Sequence, residues 1–163
     1  MHVIMPRRAQ DRALDCVCFN LRKATRSITH VYDAALRASG LRATQFTVLN
    51  VVQRLGRAGV TKIAAVAVLD RTTLTRSLAL LERDGLVRIV PSDDARERLY
   101  ALTPRGARTI EQALTRWDTA QSRVVDQLGS ARVRRLLEDL GDVVQAARAV
   151  RVDREPTARR RTR

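Results

Sequence analysis

The chain has 163 residues and a formal net charge of +14, with 31 basic and 17 acidic side chains. This length allows one domain with a sizeable core, and the charge favours a polyanionic partner, most often nucleic acid. No apolar run reaches the roughly 18 residues of a membrane-spanning helix, and the start of the chain lacks the apolar core of a secretion signal. Aromatic residues make up 3%, which disfavours stacking on single-stranded bases and favours duplex DNA. The chain has two cysteines, and their lack of a disulfide framework fits a reducing cytoplasm.

The N-terminal forty residues predict an arm followed by one long helix. Residues 1–10 have the pattern of a flexible arm. From about residue 11 to 38, apolar side chains recur at helical spacing, and Ser39 and Gly40 end the pattern. The apolar stripe is longer than a small core needs, so we expect residues 11–40 to contribute to dimerisation.

The next segment predicts a helix-turn-helix. Residues 45–55 have a helical pattern, and Val60-Thr61 is a candidate short strand. Residues 62–68 predict a small helix, which a turn separates from another helix over residues 72–84. Two short helices joined by a tight turn are a helix-turn-helix.

The helix predicted over residues 72–84 has two chemically different faces. Leu74, Leu78 and Leu81 stand at i, i+4 and i+7, which predicts an apolar inner face. Asp70 is the predicted N-cap, and Gly85 is the predicted left-handed residue after the helix. The outer face carries hydroxyl and guanidinium groups, which suit close approach to base edges and phosphates. The alternative is an ordinary amphipathic surface helix.

Two strands and two helices follow. Residues 86–90 and 98–102 have strand patterns with a turn between them, which predicts a β-hairpin, or wing. Thr103-Pro104 begins a helix, and Gly129-Ser130 separates that helix from the last one. The basic tail, residues 151–163, contains six arginines and two acidic residues and is expected to be disordered.

The predicted fold is mainly α with a small β-wing. A winged helix-turn-helix DNA-binding core, residues 41–103, is flanked by N- and C-terminal dimerisation helices, the latter over residues 104–150. The alternative for the flanking helices is an intramolecular three-helix packing.

This order of elements resembles the MarR family of bacterial transcriptional regulators. The segment DARERLYALTPRG, which begins at Asp94, is similar to the family's wing signature, an Asp-x-Arg followed by a strand and Leu-Thr-x-x-Gly. Residues 70–76 and 81–87 resemble its recognition helix and the exit from it, and the likeness covers about residues 11–148. Pro104 departs from the acidic residue that the family often has there, but proline suits a helix N-terminus.

The resemblance implies a homodimeric regulator, by family default a repressor, in the cytoplasm of a bacterium and at the nucleoid when bound. Each recognition helix would enter a major groove of a pseudo-palindromic double-stranded operator. The predicted DNA-contacting residues are Arg71, Thr72, Thr73, Thr75, Arg76, Ser77, Arg96 and Arg98. Thr75 has the alternative of bonding to the backbone or to a phosphate.

Arg96 resembles the family's wing residue that enters the adjacent minor groove, where a narrow A·T-rich groove favours a guanidinium group. Asp94 would orient it, or its partner, through a charge-assisted hydrogen bond. Arg98 is expected to contact a phosphate. The alternative for Arg96 is a weak surface ion pair with Asp94 or Glu97.

Family members usually respond to a ligand or an oxidant, and Cys16 and Cys18 are the chemical candidates here. As a thiol sensor they would bind a soft metalloid such as arsenite or antimonite, or be oxidised between subunits. On a regular helix the two would lie about 200° apart, which disfavours one ion bound by both. The alternative is two small buried hydrophobic residues. A third hypothesis is a small aromatic acid bound near Arg22, Arg26, His30 or Tyr32.

The sequence predicts no enzyme, no metal site and no required cofactor. It contains no glycine-rich phosphate loop, no metal-ligand constellation and no nucleophile–His–acid arrangement. The remaining alternative is a basic architectural protein that binds DNA without sequence preference, which differs from a regulator in its ratio of specific to non-specific affinity.

Overall fold

The computed structural model describes residues 14–94 and 97–150. The elements, in chain order, are α1 (Val17–Leu36), a 3₁₀ turn (Arg37–Ser39), α2 (Ala43–Leu55), β1 (Arg57–Gly59), α3 (Val60–Ala67), α4 (Arg71–Arg83), β2 (Val87–Val90), β3 (Leu99–Leu102), α5 (Pro104–Leu128) and α6 (Ser130–Ala149). The predicted arm, the predicted basic tail and the predicted wing residue Arg96 lie outside the described residues. None of the helices within those ranges is long and apolar enough to cross a membrane.

The three strands form an antiparallel sheet in the order β1-β3-β2. The predicted hairpin of β2 and β3 is present, with Ile89 opposite Tyr100. The strand predicted at Val60-Thr61 is wrong, because Val60 begins α3 and the strand lies just before it. The Arg-Ala-Gly segment of β1 has no β-branched or aromatic residue, so its extended shape depends on pairing with β3, as Ala58 does with Tyr100.

One hydrophobic core joins the helices to the sheet. The leucines predicted for the inner face of α4, Leu74, Leu78 and Leu81, are completely buried. They belong to one cluster with buried side chains from four other elements: Phe46, Val48, Leu49 and Val52 of α2, Ile63 of α3, Tyr100 of β3 and Ile110 of α5. The i, i+4, i+7 spacing therefore identifies the buried face correctly.

Both ends of α4 are closed by the residues expected from the sequence. The Thr73 backbone N–H donates to Asp70 Oδ1 over 2.8 Å, which makes Asp70 the N-cap. At the other end Gly85 has φ 68°, and the Leu86 N–H donates back to the Leu81 carbonyl over 2.8 Å. This is the Schellman arrangement, in which a left-handed residue lets the chain leave the helix.

The junction between α4 and α5 explains the Leu-Thr-x-x-Gly pattern physically. The Thr103 hydroxyl donates to the Gly85 carbonyl over 2.7 Å and accepts from the Gly106 N–H over 2.9 Å. A Cβ atom at Gly106 would collide with the Leu86 carbonyl oxygen. The threonine therefore caps α5 and ties it to the end of α4, and only glycine allows the two backbones to come so close.

The chain divides into two compact units after Gln121. Within the second unit, α6 buries none of its residues, and Leu136 and Leu137 are 43% and 62% exposed. Within the first unit, α1 buries only Leu36 and leaves large apolar side chains such as Val17 in solvent. The apolar stripes of these two helices are thus uncovered in a single chain.

Candidate nucleic-acid interface

The outer face of α4 is polar over its first two turns. Because the three core leucines hold the opposite face inward, Thr72, Thr73 and Arg76 are exposed, as are Arg71 and Thr75. The predicted contact residue Ser77 is half-buried at the edge of this face. Hydroxyl and guanidinium groups on one exposed helix face can donate to base edges and to phosphate oxygens.

Thr75 differs from its neighbours on α4. Its hydroxyl donates to the Arg71 carbonyl over 2.7 Å, which is the backbone alternative that the sequence left open. The hydroxyl proton is used within the helix, so in this conformation Thr75 has no donor for a phosphate.

Asp70 caps the N-terminus of α4, directly before the exposed residues Arg71, Thr72 and Thr73. Its hydrogen bond with Thr73 lowers the pKa of the Asp70 carboxyl below its ordinary value. The carboxylate form is therefore the one that caps the helix, and it also carries the sign of charge that a helix N-terminus attracts.

The wing follows α4 in the sequence. Arg98, which directly precedes β3, has an exposed side chain. The Glu97 N–H donates to the Asp94 carbonyl over 2.9 Å. The Glu97 side chain lies against Gly59, where a Cβ atom would collide with its carboxyl oxygen. Glu97 thus contacts the residue that precedes α3, the first helix of the helix-turn-helix. Arg96, which the sequence places at the minor groove, belongs to the part of the chain that is not described.

The outer face of α4 also contains Leu80, which the sequence analysis did not single out. Leu80 is 42% exposed, whereas the three other leucines of the helix are fully buried. A sequence signal existed, because Leu80 stands four residues after Arg76 and outside the i, i+4, i+7 apolar spacing.

The two cysteines lie at the start of α1, which corrects the sequence prediction that placed both within one regular helix. Cys16 is extended, with φ −67° and ψ 125°, and α1 begins at Val17. The Asn20 side-chain amide donates to the carbonyls of Leu14 (2.6 Å) and Cys16 (3.1 Å), and the Cys16 carbonyl also accepts from the Asn20 backbone N–H over 3.1 Å, as an N-cap carbonyl does. The 200° separation of Cys16 and Cys18 therefore does not apply, and both thiols are free and exposed rather than packed in the core of their own chain.

A cavity of about 480 Å³ lies where α1 meets α2, and we call it the α1–α2 cavity. Its lining residues are His30, Asp33, Arg37, Gly40, Leu41, Arg42 and Gln45. Asp33 Oδ1 accepts from the Ala43 N–H over 2.7 Å, so this carboxylate is occupied in holding the start of α2. The imidazole and two guanidinium groups make the lining suitable for an anion.

The other residues suggested for an aromatic acid lie elsewhere. The Tyr32 hydroxyl bonds with the Gln121 side chain, its ring centroid lies 6.2 Å from that of Trp117, and burial raises its pKa. Tyr32 is therefore a packing residue, and Arg22 and Arg26 do not line the α1–α2 cavity.

Within residues 14–94 and 97–150, no three or more His, Cys, Asp or Glu side chains converge in a way that would hold a metal ion.

Comparison with known proteins agrees with this architecture. The model of the MarR family matches residues 39–97, while no curated protein sequence matches the chain. The chain is similar to the M. tuberculosis transcriptional regulator MosR, whose crystal structure was determined in complex with DNA. The two sequences are 39% identical, the match covers 82% of this chain and 98% of the MosR chain, and the TM-score is 0.71.

Two more distant structures share the fold. A mutant of E. coli MarR complexed with operator DNA is 23% identical, with 78% of this chain and 92% of that chain covered and a TM-score of 0.72. The transcriptional repressor CouR, bound to a 23-mer DNA duplex, is also 23% identical, with 81% and 94% covered and a TM-score of 0.74.

Proposed function

Since the chain belongs to the MarR family of DNA-binding transcriptional regulators, we propose that it is a homodimeric, sequence-specific repressor that an effector releases from its operator. Residues 41–103 form the DNA-binding domain in this proposal, and residues 11–40 and 104–150 form the dimerisation helices. The operator is a pseudo-palindromic DNA duplex in the cytoplasm, with one major groove for each recognition helix.

The observation that carries this proposal is the arrangement of α4. The helix is capped by Asp70, held inward by three fully buried leucines, and exposes Thr72, Thr73 and Arg76. A rigid helix with its donors on the solvent side is what direct readout of a major groove requires. Arg71 and Ser77 extend the proposed contact surface, Thr75 supports it from within the helix, and Arg98 and Arg96 of the wing extend it to the backbone and the minor groove.

Exposed apolar side chains on α1 and α6 support the homodimer. Val17, Phe19 and Leu137 are 65%, 42% and 62% exposed in a single chain. Exposed apolar side chains that cluster on one surface mark protein–protein interfaces, and each of the two helices offers such side chains to a partner chain. A two-headed dimer also provides a physical route to regulation, because a small change in the spacing of its heads disrupts simultaneous binding to two half-sites.

Two features support an effector. Cys16 and Cys18 are exposed at the start of α1, where their sulfur atoms would be accessible to an oxidant or to a soft metalloid such as arsenite or antimonite. The α1–α2 cavity, with Arg37, Arg42 and His30 in its lining, has the charge to accept the carboxylate of a small aromatic acid. We propose one of these as the release signal, and no cofactor is needed for DNA binding.

Titration of the purified chain with the DNA upstream of its own coding sequence tests the proposal. A regulator would bind this DNA about a thousandfold more tightly than a scrambled duplex at physiological salt. Repeating the titration with a thiol oxidant, antimonite and salicylate would separate the three effector hypotheses.

The net charge of +14 favours one second candidate, a basic architectural protein without sequence preference. Such a protein would bind operator and scrambled duplex equally and would show only a steep dependence on salt. Equal affinities would therefore contradict the proposed repressor and support the architectural alternative.

A further inference from the structure

Helix α4 contains one leucine that the core does not use. Leu74, Leu78 and Leu81 are 0% exposed and fill the inner face, whereas Leu80 is 42% exposed. An apolar side chain left in solvent loses the free energy that burial would give. Leu80 is thus outside the buried core cluster, and a large part of its side chain is available to another molecule.

The helical position of Leu80 places it among the proposed reading residues. At about 100° per residue, Leu80 points about 120° away from Leu74 and falls between Arg76 and Thr73 around the axis. Leu80 is therefore part of the exposed outer face, one turn beyond Arg76. The ion pair of Arg83 with Asp84, whose nitrogen and oxygen lie 3.0 Å apart, comes after it toward the end of the helix.

The chemistry of the major groove offers one partner for such a side chain. Base pairs present hydrogen-bond donors and acceptors there, and the C5-methyl group of thymine is their apolar feature. Four residues of α-helix span about 6 Å, which corresponds to about two base pairs of duplex. An apolar contact by Leu80 would thus fall about two base pairs from the base that Arg76 reads.

We infer that Leu80 is a further specificity-determining residue, which contacts a thymine methyl group in each half-site. This inference deepens the proposed function and rests on it. The outer face of α4 then distinguishes base pairs in two ways. Arg76 and the threonines recognise them by hydrogen bonds, and Leu80 recognises a thymine by apolar contact.

The test combines a change in the protein with a change in the DNA. The operator is first selected from random duplexes by the unaltered chain, and each thymine is then replaced by deoxyuridine, which removes only the methyl group. At one thymine of each half-site the affinity should fall about fourfold, the equivalent of one buried methyl-sized group. Leu80→Ala should bind the thymine operator about fourfold more weakly and should no longer respond to the replacement.

Two variants serve as controls. Leu80→Met keeps an apolar side chain and should keep the sensitivity to deoxyuridine. Val66→Ala removes a similarly exposed apolar group, 45% exposed on α3, and should also leave the sensitivity unchanged. The non-additivity of the two changes, measured as a double-mutant cycle, isolates the contact itself.

The outcomes separate this inference from the proposed function. If the chain selects no operator at all, the proposed function fails. If it selects an operator, but no deoxyuridine weakens binding or Leu80→Ala keeps the full sensitivity, the assignment of Leu80 is wrong while the regulator stands. If Leu80→Ala changes the dimerisation constant and leaves the deoxyuridine effect intact, Leu80 contacts a second chain, which also overturns the inference.

Discussion

At the scale of single residues, the proposed selectivity depends on a few side chains that α4 directs away from the core. Arg76 is exposed in the second turn of the helix, where the proposed complex would bring its guanidinium group to base edges. Its planar donors match the two acceptors of a guanine, and a lysine would not reproduce that geometry.

We expect Arg76→Ala to weaken operator binding by about 1–3 kcal/mol and to relax the preference at one base pair. Fluorescence anisotropy with the operator and its single-base variants measures both effects. Arg116→Ala, which removes the same charge from an exposed position on α5, is the matched control and should leave the base preference intact. An unchanged preference in Arg76→Ala would contradict the reading role.

The cap of α4 should make stability depend on pH. The pKa of Asp70 is lowered by its hydrogen bond with Thr73, so the folded state binds a proton less readily than the unfolded state does. The stabilisation that the Asp70 cap provides is fully present above the unfolded-state pKa of 3.8. It is lost as the pH falls from that value through the lower pKa of the folded state.

Urea denaturation of the unaltered chain and of Asp70→Ala at several pH values tests this sign. The difference in free energy of unfolding should be constant near neutral pH and should shrink in the acidic window below the unfolded value. Asp70→Asn keeps an uncharged cap, so its advantage over Asp70→Ala should not vary with pH. A difference that grows on acidification would exclude the carboxylate as the cap.

At the scale of elements, the junction of α4 and α5 sets where the wing begins. Thr103 links the two helices by accepting from the Gly106 N–H and donating to the Gly85 carbonyl. The wing strands are attached at this junction, because β3 ends at Leu102, so a loosened junction changes the wing as well as the helices.

Thr103→Val should reduce the free energy of unfolding by about 1–2 kcal/mol, because it removes one cap and leaves partly buried polar groups unpaired. Chemical denaturation measures the loss. Thr109→Val removes a hydroxyl that donates only within α5, to the Arg105 carbonyl over 2.9 Å, and should have little effect. Equal losses in the two variants would show that Thr103 has no special structural role.

At the scale of the whole molecule, two surfaces set the behaviour in solution. The positive charge attracts any duplex, and the uncovered apolar faces of α1 and α6 favour a second copy of the chain. Sequence-specific binding by the proposed mechanism needs both surfaces, because the two half-sites are bound together only by a dimer.

Leu137→Glu should weaken dimerisation and lower operator affinity at least tenfold, because a charge on a buried interface side chain is strongly destabilising. Analytical ultracentrifugation and the operator titration measure the two effects. Ala146→Glu adds the same charge on the opposite side of α6, nine residues away and about 180° around the axis, and should leave the dimer intact. A chain that is monomeric before any substitution would contradict the homodimer.

The local signals in the sequence determined the family, the fold class and the reading helix, and the comparisons and the structure confirm the first two. Asp70, the leucine spacing and Gly85 delimit α4 correctly because caps, periodicity and left-handed stops depend on neighbours within one or two turns. Thr103-Pro104 predicts the start of α5 for the same reason. The sequence therefore located α4 and the start of α5.

Only the tertiary structure decided features that depend on distant residues. β1 is a strand because β3 pairs with it, and its own residues have no strand preference. The Thr103 hydroxyl has a second partner because α4 ends beside it. The exposure of a side chain is likewise a property of the folded chain. The leucine spacing in the sequence places Leu80 outside the apolar stripe of α4, but only the folded structure shows that the described residues leave Leu80 partly exposed.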